Sequence, residues 1–148
     1  MGMLDNEVMF SDAQAVTLVG DDASTNVYDS GGANGQGDAG QTGENLWVNA
    51  VVNTTATSGG AATIQAVLQD SADNATFADV AAGPAVAVAN ATAGTVLLQI
   101  QPPPGMRRYW RIVYRIATAA LTAGKFDAYI SNTLQRNIAR SSGIPAVG

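Results

Sequence analysis

The side chains that could do chemistry in this 148-residue chain are carboxylates and guanidinium groups, because the sequence contains no His and no Cys. A serine or threonine nucleophile usually depends on a neighbouring base, most often histidine. The only lysine, Lys125, falls in a predicted strand, so serine–lysine chemistry has no support. Without Cys, disulfides and thiolate metal sites are excluded. This composition predicts a binding or structural protein and not an enzyme.

The charged residues are divided along the chain. Residues 1–106 contain eleven of the twelve acids and no base, whereas residues 107–148 contain all seven bases and one acid, Asp127. The formal charges of the two parts, −11 and +6, sum to the net charge of −5. Such a separation predicts pairing, either between the two parts of one fold or with an acidic partner. Both interpretations are open at this point.

The bases near residue 110 form the strongest candidate interaction surface. Arg111 and Arg115 are four residues apart on a predicted strand, so they share one face at a spacing of about 13 Å. Tyr129 could add an amphipathic anchor. The predicted interface with a partner or a second copy combines these bases with apolar residues near the N-terminus and bases near the C-terminus. It comprises Leu4, Val8, Met9, Phe10, Arg107, Arg108, Tyr109, Arg111, Arg115, Arg136 and Arg140.

Two acidic clusters are weaker candidates. Asp21 and Asp22 could act as an acid–base pair, but a solvated turn is the favoured interpretation. Asp70, Asp73 and Asn74 supply the oxygen ligands that Ca²⁺ prefers, yet their spacing does not match a 12-residue calcium loop. A plain turn is therefore favoured there too, and no metal or cofactor is predicted.

Alternation of apolar and polar residues predicts the fold. Period-two runs are typical of strands with one buried face, and they occur at residues 45–53, 62–70, 95–101, 108–117 and 125–131. Weaker strands are predicted at residues 14–19, 26–29, 76–80 and 85–88. Eight or nine short strands indicate an all-β, antiparallel two-sheet sandwich that is jelly-roll-like.

The predicted domain spans residues 14–131. An extended N-terminal arm (1–13) precedes it, a C-terminal tail (132–148) follows it, and a glycine-rich surface loop (30–43) interrupts it. The loop lacks the lysine and the following helix of a phosphate-binding loop. No apolar run approaches the roughly 20 residues that cross a bilayer, and residues 1–12 have no positively charged start of a secretion signal. The net acidity argues against nucleic-acid binding.

Three stretches resemble one protein family. Residues 4–17 (LDNEVMFSDAQAVT) resemble the opening of the tailed-bacteriophage capsid cement, or decoration, proteins of the kind found on the Bordetella podophage. Residues 69–77 (QDSADNATF) resemble that family's central hairpin. Residues 104–111 (PGMRRYWR) and 122–125 (TAGK) resemble its closing strands. The resemblance covers most of residues 3–131, and the glycine-rich loop and the C-terminal tail depart from it.

The resemblance implies a jelly-roll-like protein that binds the outside of an assembled capsid and ties neighbouring subunits together. The implied partners are the major capsid protein of the same virus and a second copy of this chain, as a homodimer in preference to a homotrimer. The implied location is the outer capsid surface of the virion, after assembly in the host cytoplasm, without nucleic-acid or membrane partners. If Phe10 belongs to a docking arm, its replacement by alanine should weaken shell binding and leave melting unchanged.

A glycan-binding β-sandwich module of a phage tail or fibre protein is the alternative. Such a module needs an exposed aromatic platform, for which Trp47 and Tyr129 are the candidates. Binding to glycan arrays would separate the two functions.

Overall fold

Antiparallel β-strands make up most of the described chain. The structure, a computed structural model, describes residues 9–31 and 46–131. A short 3-10 helix, Val88–Asn90, is the one helical element among them. The strands are β1 (Met9–Ala15), β2 (Gly20–Ala23), β3 (Tyr28–Asp29), β4 (Trp47–Ser58), β5 (Thr63–Ser71), β6 (Ala78–Ala82), β7 (Val86–Ala87), β8 (Val96–Ile100), β9 (Tyr109–Ala117) and β10 (Leu121–Ser131).

The strands form two sheets in the order of a jelly roll. The four-stranded sheet has the order β1-β10-β4-β8, and the six-stranded sheet has the order β2-β9-β5-β6, with β3 also pairing β9 and β7 also pairing β5. Since β2 with β3 and β6 with β7 each act as one interrupted strand, every sheet has four strand positions. This alternation of strands between two sheets is that of a jelly roll. The predicted fold class is confirmed.

The core lies between the two sheets and is filled by every second residue of the long strands. The ring of Tyr114 stacks on the ring of Phe126 with centroids 5.0 Å apart, which joins the two sheets at the centre. The indole N–H of Trp110 donates to the Arg107 carbonyl (2.6 Å), so this large side chain is buried with its polar group satisfied. The alternating core residues of the four longest strands are Val48, Ala50, Val52, Ile64, Ala66, Leu68, Ile112, Tyr114, Ile116, Phe126, Ala128 and Ile130.

The first strand begins earlier than predicted. β1 pairs with β10, with Met9 opposite Tyr129, and two register shifts interrupt the ladder. Ala13 has a φ of 46°, and its N–H donates to the Asp127 carboxylate (2.6 Å). This bulge breaks the period-two pattern, which is why the sequence predicted a strand at 14–19. The predicted arm boundary at residue 13 is wrong, since it falls inside β1.

Residues 20–23 were expected to form a turn, and they form β2. β2 pairs with β9, which places Asp21 opposite Arg115 and Asp22 opposite Tyr114. Glycine and aspartate are poor strand formers, so the sequence gives no strand signal here. Adjacent strand residues point to opposite faces. Asp21 and Asp22 therefore cannot act together on one substrate. The described part of the chain contains no helix long and apolar enough to span a membrane.

Candidate functional site

The outer side of the six-stranded sheet carries Arg111 and Arg115, two of the predicted arginines. Since Ile112, Tyr114 and Ile116 point into the core, the alternate residues of β9 point outward. Arg111 lies opposite Gln69, and Arg115 lies opposite Gln65 in the neighbouring strand β5. We call this surface the arginine face, and define it by Asp21, Gln69, Phe77, Asp79, Tyr109, Arg111 and Arg115.

Two buried valines lie under the arginine face. Val67 and Val113 are paired across β5 and β9, and they are 0% and 1% exposed although they are on the outer side of the sheet. They lie between the Arg111 and Arg115 rows. The aliphatic parts of these long side chains can therefore shield them from water while the charged ends remain at the surface. Arginine here contributes to packing as well as to charge.

Arg115 joins the two edges of the sheet. Its Nε and Nη2 donate to the Asp21 carboxylate (2.7 and 2.9 Å), and its Nη1 donates to Asp79 (3.3 Å). These hydrogen bonds, above all the two that Arg115 donates to Asp21, raise the pKa of Arg115, and the same contact lowers the pKa of Asp21. All three side chains are well exposed, so each pair contributes little to stability on its own, typically ~0–1 kcal/mol.

Arg107 pairs with a nearly buried carboxylate. Asp70 has a side chain that is 8% exposed, and it accepts from the Arg107 backbone N–H (2.8 Å), Nε (2.8 Å) and Nη2 (2.6 Å). Burial alone would raise the pKa of Asp70, but the side-chain and backbone hydrogen bonds from Arg107 outweigh it and the pKa is lowered. Arg107 therefore fastens the chain entering β9 to the end of β5, which is a structural role.

Arg108 pairs with the end of β3. Its Nε and Nη2 donate to Asp29 at 2.7 and 2.9 Å, and its hydrogen bond lowers the pKa of that carboxyl. The guanidinium also lies over the half-buried ring of Tyr109, 4.9 Å from the centroid. The Arg108 carbonyl accepts from the backbone and side chain of Ser30 (2.9 and 2.7 Å). Arg108 is thus held at both its side chain and its carbonyl by the end of β3 and the residue that follows it.

Pairing within the fold is therefore the interpretation that the structure confirms for three of the four described arginines. Asp21, Asp29, Asp70 and Asp79 come from the acidic part of the chain, and they bind Arg107, Arg108 and Arg115 of the basic part. Acids and bases that are far apart in the sequence therefore neutralise each other in the folded protein. Arg111 differs: among residues 9–31 and 46–131, no carboxylate lies within salt-bridge distance of it.

The two described apolar residues of the predicted interface, Met9 and Phe10, do not join the arginine face. Phe10 is 0% exposed and packs in the core, so its prediction as a contact residue is wrong. Met9 is half-buried in β1 of the other sheet, so the structure does not bring it near the arginines. The remaining predicted residues, Leu4, Val8, Arg136 and Arg140, lie outside the described residues.

Of the two residues predicted for a glycan-binding platform, Tyr129 is buried and Trp47 is half-buried. Tyr129 lies opposite Asn49, and Trp47 opposite Ser131, on the outer side of the four-stranded sheet. Tyr129 is only 9% exposed, and burial raises its pKa. Trp47 is half-buried. Tyr129 therefore presents little of its ring to a ligand.

The acidic turn after β5 is closed by its own hydrogen bonds. The Asp73 carboxylate accepts from the backbone N–H groups of Ala75 (3.0 Å) and Thr76 (2.9 Å) and from the Ser71 hydroxyl (2.8 Å). Asn74 adopts a φ of 58°, as expected for a tight polar turn. Asp70 is bound by Arg107, so the acidic side chains of this turn have hydrogen-bond partners within the fold. No group of three metal-ligating side chains occurs within the described ranges.

This turn predicts a pH dependence. The backbone hydrogen bonds from Thr76 and Ala75 lower the pKa of Asp73 from 3.8 to about 2. Because the folded state favours the charged form, the stabilisation is complete above pH 4 and is lost as the pH falls towards 2. We expect Asp73→Asn to have a lower melting temperature than the wild type at pH 6 and the same melting temperature near pH 2. Melting temperature against pH measures this.

Asp12→Asn is the matched control for the turn. Asp12 is an exposed carboxylate that accepts no hydrogen bond from the described residues. Its substitution should leave the pH profile of the wild type unchanged. A melting difference for Asp73→Asn that stays constant from pH 6 to pH 2 would contradict the role of the charge.

The sequence did not predict which residues support the arginine face. Gln69 and Asp79 are adjacent only because β6 pairs with β5, and Phe77 reaches Arg111 from the preceding connection. Register decides these neighbours, and register cannot be deduced from alternation alone. The signal that was available was the charge separation, which predicted pairing but left open whether the acids belong to this fold or to a partner.

Comparison with known proteins identifies the family. Curated proteins give no match to this chain. The sequence model of the family described as Bbp16 matches residues 10–130. This range begins within β1 and ends within β10, so it contains the whole jelly roll. The chain therefore belongs to the Bbp16 family, whose name points to a Bordetella phage protein.

Proposed function

We propose that this protein is a structural component of a phage virion that binds the outside of the assembled capsid and cross-links neighbouring major capsid subunits. The observation that carries the proposal is membership of the Bbp16 family over residues 10–130. The resemblance of residues 4–17, 69–77 and 104–111 to capsid cement proteins supplies the specific function.

The architecture supports this role in physical terms. A protein that reinforces a shell needs a stiff body more than reactive groups. The two packed sheets provide such a body. Tyr114 and Phe126 join them at their centre, and Arg115 links three strands on the surface of one sheet through its ion pairs. Weak contacts from each copy would be sufficient for stable binding, because an oligomer that bridges several capsid subunits gains affinity from multivalency.

The partners belong to the same proposal. The major capsid protein of the same virus is the binding partner, and a second copy of the chain forms a homodimer that presents each contact twice. The protein performs no catalysis in this role. Its place is the outer surface of the capsid, reached after assembly in the host cytoplasm.

Co-sedimentation with expanded capsid shells of the encoding phage tests the proposal. The full chain should bind saturably, and sedimentation velocity of the free protein should show a dimer. A variant lacking residues 1–8 tests the docking arm, because it leaves β1 intact from Met9 onward. Loss of binding in that variant would assign docking to residues 1–8. Absence of binding by the full chain to any shell would contradict the proposed function.

A further inference from the structure

Arg111 is held in place without having its charge paired. Its Nε donates to the Gln69 side-chain oxygen (2.8 Å), and its guanidinium carbon lies 3.9 Å from the centroid of the Phe77 ring. These two contacts fix one edge and one face of the guanidinium plane. No carboxylate of the described residues forms an ion pair with it, in contrast to Arg107, Arg108 and Arg115.

The orientation of Gln69 is itself fixed. Its side-chain nitrogen donates to the Asp79 carboxylate at 2.6 Å, so its oxygen is the atom that faces Arg111. Asp79 is in turn held by Arg115 (3.3 Å), which also binds Asp21 on the other edge of the sheet. A chain of polar contacts from β2 to β6 thus positions the Arg111 guanidinium. Such positioning reduces the side-chain freedom that a binding partner would have to restrict.

The two terminal nitrogens of Arg111 remain for a ligand. They are Nη1 and Nη2, and neither donates a hydrogen bond to any described residue. Two parallel N–H groups at one end of a guanidinium match the two oxygens of a carboxylate. Arginine is the side chain suited to this recognition, because lysine carries the same charge without the planar pair of donors.

The surrounding charges favour a single carboxylate over a polyanion. Asp21 and Asp79 on the arginine face balance the formal charges of Arg111 and Arg115. A nucleic-acid backbone needs a surface with an excess of positive charge, and this surface has none. One acidic side chain placed directly at the Arg111 terminal nitrogens, by contrast, meets the one arginine of the face that has no ion pair of its own.

We propose that Arg111 is a binding residue that receives the carboxylate of an aspartate or glutamate on the major capsid protein. This inference rests on the proposed function and names its contact chemistry. Gln69, Phe77 and Asp79 are positioning residues for that contact.

Shell co-sedimentation with matched variants tests the inference. Arg111→Gln and Arg111→Lys should each weaken binding by about tenfold or more, because both lose the paired donors. Lys125→Gln removes the same charge from the four-stranded sheet, where Lys125 is exposed, and should bind as the wild type does. Equal binding by the wild type and both Arg111 variants would overturn the inference. Melting curves of each variant show whether the fold is kept.

A measurement on the free protein separates this inference from the proposed function. Arginine side-chain NMR signals are followed during addition of sodium acetate, with sodium chloride at the same ionic strength as reference. The Arg111 signals, assigned with Arg111→Lys, should shift with acetate, whereas those of the paired Arg115 should not. Arg111 signals that respond no more than those of Arg115 would overturn the inference. Failure of the wild type to bind shells would instead contradict the proposed function, and the acetate result alone would then decide the Arg111 site.

Discussion

Replacing Phe10 with alanine is expected to lower the free energy of unfolding by about 3–5 kcal/mol. The Phe10 side chain is 0% exposed and belongs to the central core cluster. Its removal leaves a cavity that the paired strands around it cannot close. The Phe10 carbonyl also accepts from the backbone N–H of Asn26 (2.9 Å), so the residue links β1 to the segment that precedes β3. Denaturant unfolding of both proteins measures the difference.

Leu18→Ala is the control for Phe10. Leu18→Ala also removes apolar atoms, but Leu18 is 75% exposed in the connection after β1, so these atoms are not part of the core. Its substitution should change the free energy of unfolding by less than about 0.5 kcal/mol. If Phe10→Ala instead kept the stability of the wild type and lost shell binding, Phe10 would belong to a docking arm and its position in the core would be contradicted.

Replacing Gly83 with alanine is expected to destabilise the fold by about 3 kcal/mol or more, because the added methyl group has no room. A Cβ at this position would lie 2.1 Å from the Leu97 carbonyl oxygen, a backbone atom that cannot rotate away. Gly83 is also fixed from both sides. Its N–H donates to the Ala66 carbonyl (2.9 Å), and its carbonyl accepts from the Gln65 side chain (2.8 Å). The connection between β6 and β7 must therefore move away from β8.

Gly59→Ala is the control for Gly83. A Cβ at Gly59 meets nothing within 4 Å, and the residue is exposed at the turn between β4 and β5. Thermal unfolding of the two variants should show a large loss for Gly83→Ala and no loss for Gly59→Ala. Equal melting temperatures of Gly83→Ala and the wild type would contradict the close approach of the two sheets at this point.

The strands were predictable wherever one face is buried and the other is exposed to solvent. β4, β5, β8, β9 and β10 were found because their apolar residues recur at every second position, and their sum indicated the jelly roll. β2 was not predicted because its Gly20-Asp21-Asp22 sequence resembles a turn. Asp21 is explained by the opposing Arg115, which is distant in sequence. β1 was displaced because the Ala13 bulge shifts the alternation.

The site was predictable only in outline. Charge separation indicated that the arginines would find acidic partners, and the structure supplies those partners for Arg107, Arg108 and Arg115. That Arg111 lacks one could not be seen, since it depends on β6 placing Asp79 against Gln69 and Arg115. Phe10 was misassigned because an apolar residue near the N-terminus looks the same in an arm and in an edge strand.

The place of β1 at the edge of its sheet has a consequence for how the chain folds. Among the described strands, β1 pairs only with β10, which is the last of them. The pairing of Met9 with Tyr129 therefore joins residues that are far apart in the sequence. Closing so long a loop makes folding slow. During synthesis, β1 therefore has no partner for its ladder until β10 has been made. The fold should therefore form slowly, because the first and last of the described strands must pair before the four-stranded sheet is complete.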